Sequence, residues 1–276
     1  MCNDSTDNST SEFNKCEYQV DIADEESGEY STLVNYPFSV SIQRKGAHYA
    51  TGALVNKRWI LSVAREFYYV RESIKLFRAR LGSVDCKRGG TVLPFKSVTV
   101  HPSYIYGKPN FDLALLRLGE PVNFTSFIKP IKLSKIRADI INAKFMTTYW
   151  PRIIVDGKVL PESATERIKY NSMRVSTQRM IPLSECKKTM KRLNESLENS
   201  SLCLTPVKTH HSVCLPDAGA PVIAEDGLWG ITSGWISNEC PTKPGPTIFT
   251  RLSSRLVHSW LEANLFNLGG TLVDSL

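Results

Sequence analysis

From Tyr36 onward the chain is divided into short apolar runs, and this division most restricts what it can fold into. Phe38, Val40 and Ile42 alternate with Ser39 and Ser41, the period of a strand with one buried face. Further runs follow at Ala53 to Val55, Trp59 to Ala64, Ile74 to Leu81, Val98 to Val100, Leu113 to Leu118, Phe145 to Tyr149, Val222 to Ala224, Trp229 to Thr232 and Ile248 to Leu252. Segments holding Gly, Pro, Asn or Lys separate them. Many short strands with few helical patterns imply an all-β barrel or sandwich. Two helices stand out. In Ser184 to Leu193 the serine can cap the start, with Cys186, Met190 and Leu193 on one face and Lys187, Lys188, Lys191 and Arg192 on the other. Near the end, Leu256, Val257, Trp260, Leu261 and Leu265 form an apolar stripe after Ser253 and Ser254.

The length of 276 residues suits one two-lobed domain or two domains. No apolar run approaches a membrane span, so a soluble protein is expected. The net charge of +7 is uneven: residues 1–30 hold nine of the 27 acidic groups and one of the 34 basic ones, which leaves the body at +15. Those thirty residues have few large apolar groups and are expected to form a mobile tail. Asn3, Asn8, Asn123, Asn194 and Asn199 each begin an Asn-X-Ser/Thr triplet, a glycosylation signal read only in the secretory pathway. Seven cysteines also suit an oxidising compartment. The start Met-Cys-Asn-Asp has neither a basic nor an apolar stretch, so the sequence reads as a secreted, extracellular protein in mature form.

Four ordered motifs resemble those of the trypsin/chymotrypsin serine proteases. Cys214-Leu215-Pro216-Asp217-Ala218-Gly219-Ala220-Pro221-Val222 is similar to the family's nucleophile loop Cys-X-Gly-Asp-Ser-Gly-Gly-Pro followed by an apolar strand. Trp59-Ile60-Leu61-Ser62-Val63-Ala64-Arg65-Glu66 resembles Trp-Val-Leu-Thr-Ala-Ala-His-Cys, Phe111-Asp112-Leu113-Ala114-Leu115-Leu116-Arg117-Leu118 resembles Asn-Asp-Ile-Ala-Leu-Leu-Lys-Leu, and Pro246-Thr247-Ile248-Phe249-Thr250-Arg251 resembles Pro-Gly-Val-Tyr-Thr-Arg. Ala50 and Glu66 stand where one family disulfide would be, Ala143 and Ala224 where another would be. The resemblance covers about residues 31–266. It implies two packed six-stranded antiparallel β-barrels with a C-terminal α-helix: an acidic tail over 1–30, a first barrel over 31–132, a second barrel with the helix over 133–266, and a tail over 267–276.

By the same resemblance the triad positions are Arg65 for the base, Asp112 for the acid and Ala218 for the nucleophile. Arg65 stays protonated and cannot take a proton, Ala218 has no nucleophilic atom, and Pro216, at an oxyanion position, has no N–H to donate. Asp112 either pairs with the Arg65 guanidinium or takes backbone donors while Arg65 turns to solvent. The activation segment is also absent, Glu25-Glu26-Ser27-Gly28 standing in its place. Asp217 is expected either to join His48 and Ser41, as in the family's inactive precursors, or to sit exposed in a loop. Ser212, Ser233 and Thr247 fall at the specificity pocket, where a Ser in place of an acid and a side chain on the wall do not suit a basic side chain. Two disulfides are implied, Cys186 with Cys203 and Cys214 with Cys240. Cys2, Cys16 and Cys86 are left with three pairings open.

Lys187, Lys188, Lys191 and Arg192 close a basic run beginning at Arg167, either a solvated helix face or a polyanion-binding one. Without aromatic interleaving or a motif, nucleic acid is not expected as a partner. No cofactor is expected. His210 and His211, with no carboxylate cluster near, do not suggest a metal site. The chain looks like the non-catalytic homologues of arthropod body fluids, a resemblance that implies a secreted regulator or adaptor that binds an extracellular protein, such as an active protease or its substrate, in an immune cascade. The alternatives are a polyanion or microbial-surface binder and a residual hydrolase with a base and nucleophile not evident in the sequence.

Overall fold

A computed structural model describes residues 32–136, 144–150, 154–155, 158–159, 171–207, 218–238 and 245–265. The first barrel is built from β1 (Ser39–Arg44), β2 (Ala47–Leu54), β3 (Trp59–Ser62), β4 (Phe77–Leu81), β5 (Thr91–Val100) and β6 (Ala114–Leu118). All its pairings are antiparallel, in the closed order β1-β2-β3-β6-β5-β4. The second uses β7 (Lys144–Tyr149), β10 (Arg174–Met180), β11 (Ser201–Pro206), β12 (Pro221–Ala224), β13 (Gly227–Thr232) and β14 (Thr247–Arg251), closing as β10-β11-β14-β13-β12-β7. A small hairpin, β8 (Ile154–Val155) with β9 (Lys158–Val159), lies between β7 and β10 in sequence. This is the two-barrel fold that the motifs imply.

Each barrel closes because its inward residues are large and apolar. Val40, Ile42, Leu54, Ile60, Leu61, Leu115 and Leu116 are fully covered in the first. Phe145, Leu202, Leu204, Val222, Trp229 and Phe249 pack together in the second. β10 and β11 went unread in the sequence because β10 has the polar composition Arg-Val-Ser-Thr-Gln-Arg-Met, with only Gln178 and Met180 buried. The apolar run from Ile74 to Leu81 is not one strand: Arg71–Leu76 is a 3-10 helix and only Phe77–Leu81 is β.

Helix α1 (Leu183–Arg192) buries Cys186 and Met190. Its N-cap is Pro182 and no side chain caps it, so Ser184 lies in the first turn rather than at the cap. Cys186 is bonded to Cys203, stapling the helix to β11. Helix α2 (Arg255–Leu265) buries Val257, Leu261 and Leu265. Leu256, expected in the apolar stripe, is 60% exposed. The buried stripe joins the first barrel's core, and Trp260 meets the His101 ring at 5.0 Å. The chain thus leaves the second barrel and docks its last described helix on the first. No helix among the described residues is long and apolar enough to cross a membrane.

Candidate functional site

Three chain segments meet between the barrels. Arg65 opens a 3-10 turn directly after β3, Asp112 precedes β6, and Ala218 precedes β12. The loop at Ala218 is fixed from both sides, with Thr51 N–H donating to Ala218 O at 3.0 Å and Gly219 N–H donating to Thr232 O at 3.0 Å. Gly219 has φ +88°, and a Cβ there would collide with Thr51 O and Ser62 Oγ, so only glycine lets the loop lie this close to β2. Gly234 is the focus. A Cβ on it would lie 3.0 Å from Arg65 Cδ and 3.5 Å from Ala218 Cβ, so the two positions flank one glycine.

Asp112 is wholly buried. Its Oδ1 accepts from the Arg65 backbone N–H at 2.7 Å, and its Oδ2 accepts from Ser233 Oγ at 2.7 Å and from Gly234 N–H at 2.8 Å. Burial pushes its pKa upward, opposed by the Ser233 hydroxyl and then by the two backbone donors. The guanidinium does not pair with this carboxylate: Arg65 Nη1 donates to Gly234 O at 2.7 Å. The expected Arg65 to Asp112 ion pair is therefore replaced by a backbone contact. Two backbone N–H groups and a hydroxyl satisfy the acid, and the charged fork goes to a carbonyl of the second barrel.

Ser233, expected at the pocket, is 1% exposed and committed to Asp112. Its hydroxyl is an orienting donor to that carboxylate. Thr247 is half-buried at the start of β14, paired with Leu204. Trp235, buried against Cys186, Met190 and Ile248, lies so near Gly245 that a Cβ there would be 2.6 Å from its ring. Ser41 Oγ and His48 Nδ1 are hydrogen-bonded at 2.8 Å, which brings together two of the three residues expected in the precursor-like network. Asp217, Pro216, Ser212, Cys214, Cys240, His210, His211, Asn3 and Asn8 lie outside the described residues, as do Cys2 and Cys16. Cys86 is a buried free thiol whose pKa burial pushes to about 11. Asn123, Asn194 and Asn199 are exposed, as are Lys187, Lys188, Lys191 and Arg192 along α1.

Beside Arg65 opens a cavity of about 410 Å³ lined by Arg44, Tyr49, Arg65, Glu66, Tyr69 and Tyr106, among others. Its rim is aromatic. Tyr68, Tyr69 and Tyr106 are 37%, 72% and 48% exposed, and their rings touch pairwise, with centroids 4.9 Å apart for Tyr68 and Tyr69, 5.6 Å for Tyr68 and Tyr106, and 5.0 Å for Tyr69 and Tyr106. The motifs did not point to this cluster; the only signals in sequence were the Tyr68-Tyr69 doublet and the Tyr104-Ile105-Tyr106 loop.

The comparisons agree with the geometry. The trypsin family model matches residues 26–261. A trypsin from Phaedon cochleariae is 26% identical over 232 residues, 82% of this chain and 83% of that protein. Hypodermin-A from Hypoderma lineatum is 25% identical over 220 residues, 79% and 80% of the two chains. Among solved structures, neuropsin, a serine protease expressed in the limbic system of mouse brain, superposes with TM-score 0.66 at 19% identity, covering 84% of this chain and 96% of its own. Human heparin binding protein superposes with TM-score 0.64 at 21% identity, covering 86% and 95%. At those identities the two structures establish the fold alone. With the family model spanning both barrels and reaching into α2, the chain belongs to the trypsin family.

Proposed function

We propose that this chain is a secreted, non-catalytic member of the trypsin family that acts by binding another extracellular protein, as a regulator or adaptor in a protease or immune cascade. The cleft beside Arg65 carries the reading. At the base position stands a guanidinium bound to Gly234 O, which cannot accept a proton. At the nucleophile position stands Ala218, 2% exposed. At the acid position Asp112 is satisfied without an imidazole. The Tyr68, Tyr69 and Tyr106 rim supplies what protein interfaces favour, large rigid aromatic area with a polar tip. Exposed Asn123, Asn194 and Asn199 and the Cys186 to Cys203 bond suit an extracellular setting.

A fluorophosphonate probe read by mass spectrometry tests the catalytic half. No adduct is expected on the natural chain. None is expected on Ala218→Ser either, because Arg65 still cannot serve as base. A covalent adduct on either would restore the hydrolase reading. The binding half is tested by affinity purification from the native fluid with the natural chain and a Tyr69→Ala, Tyr106→Ala double variant. A partner lost from the variant supports the rim as the contact, and an unchanged partner set counts against it.

A second reading, binding of a polyanion or microbial surface, rests on the exposed row Lys187, Lys188, Lys191 and Arg192 on α1. A protein named for heparin binding shares the fold. Arg174 and Arg179, from the same basic run, lie on β10 instead of the helix. Retention on heparin at physiological salt, weakened by changing the α1 lysines to glutamine, is the outcome this reading expects.

A further inference from the structure

The outer surface of the first barrel carries a basic patch of its own. β4 alternates, with Phe77, Ala79 and Leu81 buried, so that Arg78 and Arg80 stand together on the opposite face. Lys45 is exposed in the turn between β1 and β2, and Lys87 and Arg88 are exposed in the loop after β4. Hydrogen bonds draw these segments together. Lys87 Nζ donates to Gly46 O at 2.7 Å, Arg80 Nη1 donates to Gly89 O, and Arg78 Nη1 donates to Lys75 O and Phe77 O, each at 2.7 Å. All of these acceptors are neutral carbonyls, so the bonds fix the cations without cancelling their charge. Two carboxylates stand beside them: Asp85 meets Arg88 at 3.1 Å, and Glu72 meets Lys75 at 3.2 Å. With Lys75 included, six cations against two carboxylates leave the patch at +4.

The chain enters the fold next to this patch. Leu33 and Tyr36 pack against a cluster holding Val84 and Cys86, and Cys86 directly precedes Lys87 and Arg88. Tyr36 N–H donates to Thr32 O at 3.0 Å, which fixes the first described turn there. Residues 21–29, outside the described residues, read Asp-Ile-Ala-Asp-Glu-Glu-Ser-Gly-Glu, with five carboxylates and no cation. Fully extended, the chain carries Glu29 at most about 10 Å from Thr32 and Asp21 at most about 36 Å. A short tether therefore delivers five negative charges beside a surface of opposite sign, at a high effective concentration.

We propose that residues 21–29 dock on this patch, their carboxylates pairing with Lys45, Arg78, Arg80, Lys87 and Arg88, so that the surface is an acidic-peptide site filled by the chain's own segment. This contact goes beyond the binding role given above and needs neither the tyrosine rim nor the α1 lysines. Zero-length carbodiimide cross-linking of the full chain, read by mass spectrometry, tests it, because the reagent joins a carboxyl to an amine only where the two touch. Cross-links from Glu25, Glu26 or Glu29 to Lys45 or Lys87 are expected, falling about ten-fold in about 1 M salt. An equal mixture of isotope-labelled and unlabelled chains identifies the donor of the segment. Cross-links of a single label support the proposal, and mixed ones assign the segment to a second copy and overturn it. Fluorescence anisotropy of a labelled peptide of residues 20–30 then measures whether the patch is occupied. The natural chain should bind the peptide about ten-fold more weakly than a Glu25→Gln, Glu26→Gln, Glu29→Gln variant, and adding Arg78→Gln and Lys87→Gln should remove the gain at an unchanged melting temperature. Equal affinity of the natural chain and the tail variant would mean a patch open to outside acidic segments, and would overturn the proposal. So would the absence of binding to both, or cross-links shared evenly with Lys187, Lys188 and Lys191.

Discussion

Asp112 shows how a wholly buried carboxylate is held without an imidazole beside it. Its three donors are the Arg65 and Gly234 N–H groups and the Ser233 hydroxyl. Asp112→Ala would strand all three in the interior, a cost of about 3 kcal/mol or more. Arg65→Ala removes one charge-assisted bond from a half-exposed side chain and keeps the backbone donor, a cost of about 1 kcal/mol. Denaturant melts of the two variants should therefore differ severalfold in lost stability, and equal losses would contradict the arrangement. Because burial raises the Asp112 pKa, its contribution is full below the unfolded carboxylate value and declines as pH rises through the folded one. The sequence already placed 65, 112 and 218 together, since each sits in an ordered motif. It did not show where the guanidinium points, because that depends on Gly234, a residue far along the chain whose missing Cβ leaves room for the Arg65 side chain.

Among the elements, α2 carries the clearest pH dependence. His101 lies stacked on Phe111 and against Trp260, its Nδ1 accepts from Ser103 N–H at 3.2 Å, and burial holds its pKa below the ordinary histidine value. The neutral ring is favoured in the folded state, so stability is full above about pH 6.5 and falls as pH drops below it. Thermal melts between pH 7.5 and pH 5 should show the loss, and His101→Phe should flatten it. Strands with a strict apolar alternation were legible from sequence, as Ser39–Arg44 was. β10 was not, because a strand whose outer face is polar and whose inner face holds Gln178 has no period-two apolar signal. Leu256 was assigned to the wrong face because five apolar residues within ten positions make more than one helical stripe, and only packing against the first barrel selects Val257, Leu261 and Leu265.

At the scale of the whole molecule, charge is divided along the chain. Deleting residues 1–30 takes the net charge from +7 to +15. The truncated protein should leave a cation exchanger at distinctly higher salt than the full chain. Coincident elution would mean that the acidic tail does not offset the body's field. The join between the barrels has a further consequence. Arg65 and Asp112 come from the first barrel and Ser233 and Gly234 from the second; Thr51 N–H reaches Ala218 O, and Ser39 Oγ meets Thr148 Oγ1 at 2.7 Å. Hydrogen bonds therefore cross the join between the barrels in both directions. Pulled apart by force, the two halves would meet their first resistance at that seam.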